Sequence, residues 1–237
     1  SVIMGNDKCG KKALLHALAG NVKATSMTGS IYYDGQPLNR DVPKWIRCGF
    51  VDDENYFHRD ITVLETLTFA MQLRCTALQA LNYVEDNVSS TLDILELRHL
   101  QDVRTKHLTD GELKRLAIAI QVVNVPQVLF VTDPTVGLSM RDSAKIMRGL
   151  RSLVNKRCTV IATVENPLPA EYDIFDSLML MSDGRVIYRG RTADAMSHFM
   201  NSPYRFEKDL AKNMLESPVE VLLTIADEQA RDQESNI

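Results

Sequence analysis

The chain has no run of about 18 apolar residues, the length a helix needs to cross a bilayer, so none of it is expected to span a membrane. No positively charged stretch leads into a short apolar run, so no secretory leader is read. A basic excess is missing too: 27 Lys and Arg against 31 Asp and Glu give a formal net charge of -4. A nucleic-acid binder would show a basic stripe, so nucleic acid is set aside as a partner. Cys9, Cys48, Cys75 and Cys158 lack metal-type pairing and read as reduced thiols of a cytosolic compartment. There is no internal repeat and no low-complexity tract. What remains is 237 residues, 45% hydrophobic and 24% charged, enough for one substantial core and a subdomain.

The most informative stretch is Gly5-Asn6-Asp7-Lys8-Cys9-Gly10-Lys11-Lys12. It fits the phosphate-loop pattern GxxxxGK[ST] at every fixed position but the last. An apolar strand, Ser1–Met4, precedes it, and a helix-like run over Ala13–Ala19 follows. Such a loop wraps backbone N–H groups around phosphate, aims a helix N-terminus at it and brings a lysine to the β/γ oxygens. In place of the hydroxyl that ligates Mg²⁺ stands Lys12, a second cation. The octamer also fits a Gly-rich turn in an unrelated α/β protein, so the rest of the chain has to decide. Ser1 already lies in the strand feeding the loop, which reads as a fragment lacking an upstream segment.

Alternating residues around Asp34-Gly35 predict a hairpin. An apolar strand over 47–51 runs into the acidic turn Asp52-Asp53-Glu54-Asn55. Helical spacing over 62–74 begins at Thr62, with Glu65 three residues on as a capping partner. Further helices are predicted over 82–97, 113–123 and 143–155, and strands over 128–131 and 159–163. A hairpin turning at Asp183-Gly184 closes the ordered part, and the polar run 226–236 reads as a linker. Strands alternating with helices predict an α/β fold whose mostly parallel sheet is joined by crossover helices.

In order and spacing these motifs resemble the nucleotide-binding domain of an ATP-binding-cassette (ABC) transporter, most closely its G subfamily. The resemblance covers nearly the whole chain: the phosphate loop Gly5–Lys12, the strand into the Q-loop at 49–51, and the helix over 62–74. It continues through the signature Leu108-Thr109-Asp110-Gly111-Glu112, the Walker B strand and D-loop at 129–139, and the H-loop strand at 159–167. It implies a P-loop NTPase fold over 1–200, with a helical subdomain over about 60–123 and an extension over 201–237 leading toward a membrane domain.

By the same resemblance, Gly5, Asn6, Asp7, Lys8, Cys9, Gly10, Lys11, Lys12, Ala13 and Asp53 are the nucleotide-binding positions. Asp133 stands at the catalytic-base position and Glu165 at the H-loop position. Nearly every catalytic part is altered. Lys8 replaces a glycine, leaving the loop less free, and Asp53 replaces glutamine. Thr132 replaces the aspartate that holds the metal shell, and Asp133 replaces a glutamate one methylene longer. Displacements of about 1 Å cost on the order of 100-fold in rate. Glu165 replaces a histidine, Asp110 a glycine, Thr109 a serine and Ser139 the D-loop aspartate. Bland readings also fit: Asp133-Pro134 as a strand-ending turn, and Asp110 and Glu112 as acids favourable at a helix start.

The resemblance thus implies a cassette on the cytosolic face of a membrane, paired with a second nucleotide-binding domain and attached to a membrane domain. It would couple ATP to export of lipid or other hydrophobic compounds. ATP would be held weakly, and Mg²⁺ weakly or not at all, with no dedicated metal ligands. Two other readings compete: a regulatory module built on the same fold without a transporter, and a working ATPase whose replacements are compensated.

Overall fold

The computed structural model describes residues 1–22, 27–33, 35–37, 48–53, 56–74, 81–200, 219 and 221–225. Asp34, Glu54, Asn55, Cys75 and the linker read over 226–236 lie outside the described residues. The chain divides into two compact units, one of Ser1–Leu14 with Ala162–Ile237, the other of Leu15–Ile161.

In the first unit, β1 (Val2–Gly5) lies between β6 (Thr159–Thr163) and β7 (Ser177–Ser182), parallel to both. The register sets Ile3 against Thr163 on one side and Met179 on the other. All four β1 residues are buried, the unbroken apolar run expected of a parallel strand covered on both faces. β8 (Arg185–Arg191) returns antiparallel to β7. Asp183 and Gly184 make the turn with φ of 43° and 73°, the left-handed pair that matches the twist of a tight hairpin.

The second unit carries β4 (Cys48–Val51) parallel to β5 (Val128–Val131), with β5 next to β6. Strand β6 begins in this unit and ends in the other, as does helix α1 (Lys11–Leu18) in the opposite sense. Tyr32–Tyr33 (β2) and Gln36–Pro37 (β3) pair as the hairpin predicted at Gly35, whose φ is 77°. Helices α2 (Val63–Gln72), α3 (Leu81–Ile94) and α4 (Asp110–Val122) pack on one another, and α5 (Met140–Asn155) packs on α3 and α4.

Caps explain where the helices start. At α2, Thr62 Oγ1 accepts from Glu65 N at 3.1 Å, and Thr62 N donates to the Glu65 carboxylate at 2.8 Å. This is the capping box expected from the sequence. A second box joins Thr109 and Glu112, so α4 starts at Asp110 rather than Leu113. Ser139 caps α5 through Asp142 N at 3.2 Å, moving its start from Ser143 to Met140. Helix α3 stops at Ile94, short of Leu97, because Glu96 turns to a φ of 54° and Leu97 N closes back on Leu92 O at 2.8 Å.

That helix end is held from inside the core. Arg115 of α4 has no solvent exposure, yet its Nη1 donates to Leu95 O at 3.0 Å and Glu96 O at 2.8 Å. The guanidinium thus binds the two carbonyls that directly follow α3, at the negative end of its dipole. Leu92, Leu95 and Leu97 at that helix end, and Leu116 and Ile118 on α4, are fully buried as well. Replacing Arg115 by Ala is expected to destabilise the chain by about 3–5 kcal/mol, a cavity plus two carbonyls left without a donor. Arg115→Met, which keeps the volume, should lose distinctly less. Chemical denaturation reads both; an unchanged midpoint for Arg115→Ala would show the bond to be dispensable.

Candidate nucleotide-binding site

The phosphate loop lies in the first unit, leaving β1 at its carboxyl end. Gly5 has a φ of 151° and comes so close to β7 that an added Cβ would stand 2.2 Å from Met181 O and 2.6 Å from Cys9 Sγ. No other residue type fits there. Lys8 adopts a φ of 62°, the left-handed conformation its glycine counterpart would take freely. The sequence suggested a loop less able to take such shapes. It takes this one regardless, at a strain of about 1–2 kcal/mol.

Lys11 is 6% exposed, and its ammonium donates to Gly5 O at 2.6 Å and Asn6 O at 2.7 Å, with Cys9 Sγ at 3.8 Å. The lysine thereby closes the ring of its own loop. The Cys9 carbonyl accepts from Gly184 N at 3.1 Å, so the β7–β8 turn holds the loop from the other side. Gly10 follows with a φ of 96°, and Leu14 N donates to Gly10 O at 3.0 Å as α1 begins. Lys12 and Ala13 sit exposed in the first turn of α1, which carries no acidic residue. Asp7 Oδ1 accepts from Lys8 N at 2.9 Å.

Glu165 lies in the same unit, exposed, just beyond β6. Val164 N donates to Ile3 O at 3.0 Å, so the loop after β6 and the phosphate loop leave neighbouring parallel strands at the same edge. Ligand crevices in open α/β sheets form at such an edge.

The remaining predicted residues belong to the second unit. Val51 pairs with Val131, and Thr132 N donates to Val51 O at 2.9 Å, so Asp52-Asp53 and Thr132-Asp133 emerge side by side from β4 and β5. Asp53 is exposed. Asp133 is 8% exposed with a φ of 37°. Thr132 has no exposure, and its hydroxyl oxygen makes no hydrogen bond. Two groups that the sequence did not single out organise this edge. Lys114 of α4 donates from Nζ to both Asp52 O and Thr132 O at 3.3 Å. His16 Nε2 stands 3.6 Å from Asp52 Oδ2, its ring 4.6 Å from that of Phe50. The signal available for Lys114 was its place just after the signature, at the start of the helix predicted over 113–123.

The signature residues form the start of α4. Thr109 and Glu112 spend their side chains on each other's backbone, at 3.4 Å and 2.9 Å. Leu108 is buried and Asp110 exposed. A Cβ on Gly111 would stand 2.7 Å from Asp142 Cγ, so a side chain here would collide with the start of α5. Ser139, at the D-loop position, is occupied as the cap of α5 and donates to Asp142 Oδ2 at 2.7 Å.

The donors around the phosphate loop suit phosphate: backbone N–H groups at a helix start, two lysines and two glycines that let the chain pass close. For a divalent cation the fit is poor. The Lys12 position, at the start of α1, offers an ammonium, whereas Mg²⁺ needs accessible oxygen ligands.

A family model described as ABC transporter matches residues 1–136. Relatives include an ABC transporter G family member 1 of Dictyostelium discoideum, 28% identical over 98% of this chain and 29% of its own length. An ABC transporter G family member 21 of Arabidopsis thaliana is 31% identical over 86% of this chain and 30% of its own. The ATP-binding cassette sub-family G member 3 of Mus musculus is 28% identical over 87% and 31%. The chain therefore spans under a third of the length of these three relatives. Among solved structures, the dimeric MJ0796, a bacterial ABC transporter cassette, superposes with a TM-score of 0.67 at 21% identity, covering 81% of this chain and 84% of that one. The same cassette is also known in a post-hydrolysis state with ADP and Pi. Matched over more than half its length, the chain belongs to the ABC transporter family, as a nucleotide-binding domain of the G-family type.

Proposed function

We propose that this domain binds adenine nucleotide without turning it over. In this reading it pairs with a second cassette and acts on a membrane domain that exports lipid or other hydrophobic compounds. The pairing is supported by the dimeric cassette whose fold it shares, and the transport role by the names of its relatives.

One observation carries the loss of turnover. Thr132, at the position the family gives to a metal-holding aspartate, is fully buried, and its hydroxyl reaches no partner. Its carbonyl is taken up by Lys114. By the family resemblance, Asp133 offers a shorter carboxylate than glutamate at the base position, and Glu165 brings an anion to the position of a γ-phosphate donor. Hydrolysis of a phosphoanhydride depends on donors and charge placed around the transferring group, and such groups act as a unit. Each loss removes several kcal/mol of transition-state stabilisation. Binding is less affected, because the loop backbone, the α1 dipole and Lys11 remain.

The first test is phosphate release by the purified chain with excess Mg²⁺. The expected result is no turnover above background. Turnover of roughly 1–10 s⁻¹, abolished by Lys11→Ala, would overturn the reading.

A second expectation concerns the metal. Lys12 brings a fixed positive charge to the place where a divalent cation would offset phosphate, so affinity for ATP or ADP should be weak and nearly the same in Mg²⁺ and in EDTA. Calorimetric titration under both conditions decides. Affinity that collapses on chelation would mean that a metal site survives, and Lys12→Thr should then strengthen binding only with Mg²⁺ present.

A further inference from the structure

Away from the phosphate loop, α3, α4 and α5 meet the residue just before β6 around a cavity of about 230 Å³ in the second unit. Ile94, Val122, Val125 and Leu153 give it apolar walls. The Cys158 thiol joins them; burial pushes it up to about 11, so at neutral pH it is an uncharged, weakly polar group. Lys156 is the single charged side chain in the lining, and its ammonium donates to Ser90 Oγ at 2.7 Å across from α5 to α3.

Asp93 of α3 and Glu96 beyond it are each engaged by an arginine. Asp93 influences Lys156 only through space, while Arg98 Nε and Nη2 hold its two oxygens at 2.8 and 2.7 Å. Glu96 is held by Arg148 at 3.0 Å. Two left-handed residues flank the cavity: Val125 with a φ of 49° and Arg157 with 69°. A β-branched residue adopts that conformation only when its surroundings impose it, and strain of this kind collects at ligand clamps.

We propose that this cavity binds a small monocarboxylate with an apolar body, on the scale of an eight-carbon fatty acid. The chain would fill the space between the three helices and the carboxylate would meet Lys156. The volume sets the size: a dry apolar cavity of about 150 Å³ admits benzene, and this one is half as large again. The charge sets the class, since an apolar concavity with one cation and a few hydroxyls favours an amphiphile of opposite sign. The inference does not rest on nucleotide binding, and its test requires no nucleotide.

Calorimetry of the full chain with octanoate, octan-1-ol and octylammonium, all below their micellar range, tests it. Saturable octanoate binding is expected, at least about tenfold tighter than octylammonium. Lys156→Gln should weaken octanoate by about tenfold while leaving octanol unchanged, and Leu153→Trp, which fills the cavity, should abolish both. Three results would each overturn the proposal: no saturable octanoate binding at millimolar concentration, equal affinity for octanoate and octylammonium, or undiminished binding by a folded Leu153→Trp protein. Should that variant fail to fold, methyl resonances of the wild type replace it. Octanoate-induced shifts centred on Ile94, Val122 and Leu153 support the site, and shifts spread over the surface refute it.

Discussion

Two adjacent cations on α4 hold the second unit together. Arg115 reaches the two carbonyls that follow α3, and Lys114 reaches the carbonyls that follow β4 and β5. A guanidinium in a fully apolar setting is expensive unless its donors are used. Here Nη1 makes two bonds to a helix C-terminus, while Nε and Nη2 find none among the described residues. The arrangement therefore favours one placement of α4 strongly, since any slip along its axis would strand the charge without partners. Because α4 begins with the signature, this constraint also fixes where Thr109–Glu112 sit relative to the edge carrying Asp53 and Asp133. Glu96 extends the same node to α5 through Arg148 on the surface, a contact of small energetic weight next to the buried bonds.

Much of this was legible in the sequence, for physical reasons. Apolar runs such as 2–4 and 128–131 have the length and bounding turn signals of buried strands, and both are strands. Thr62 with Glu65 advertised a capping box, and the box is there. Boundaries failed where a cap lay further upstream than the apolar periodicity suggested: Ser139 and Thr109 each start a helix three residues early. What stayed hidden depends on tertiary partners. Nothing local marks Arg115 as buried, since the usual prior for Arg is exposure, and nothing marks Lys114 as reaching two strand ends. The Gly184 bond to Cys9 joins residues 175 positions apart, and no periodicity encodes such a contact.

The phosphate loop is held in shape by contacts within the fold itself. Lys11 bonds to its own loop, Cys9 to the β7–β8 turn, and Gly5 makes room for Met181 O. Each of these interactions helps the chain fold whether or not phosphate is present. The loop match is therefore evidence about architecture first and about ligand second.

The same distinction sorts the altered positions. Lys12, Asp53, Asp110 and Glu165 are exposed, so replacing the family's residue there changes the charge facing solvent without disturbing packing. Gly5 and Gly111 keep the family's residue, and at both a single Cβ would collide, with a backbone oxygen in one case and with Asp142 in the other. Thr132 is the exception that completes the pattern. It is buried and altered, and threonine fits that strand end in a way an ionised aspartate would not without a partner to offset its desolvation. An ionised aspartate at 132 would be a buried charge in need of a counter-charge or hydrogen bonds, whereas threonine, of similar size, is neutral. The neutral side chain at 132 thus meets the requirement that no charge be left buried without a counter-charge or hydrogen bonds.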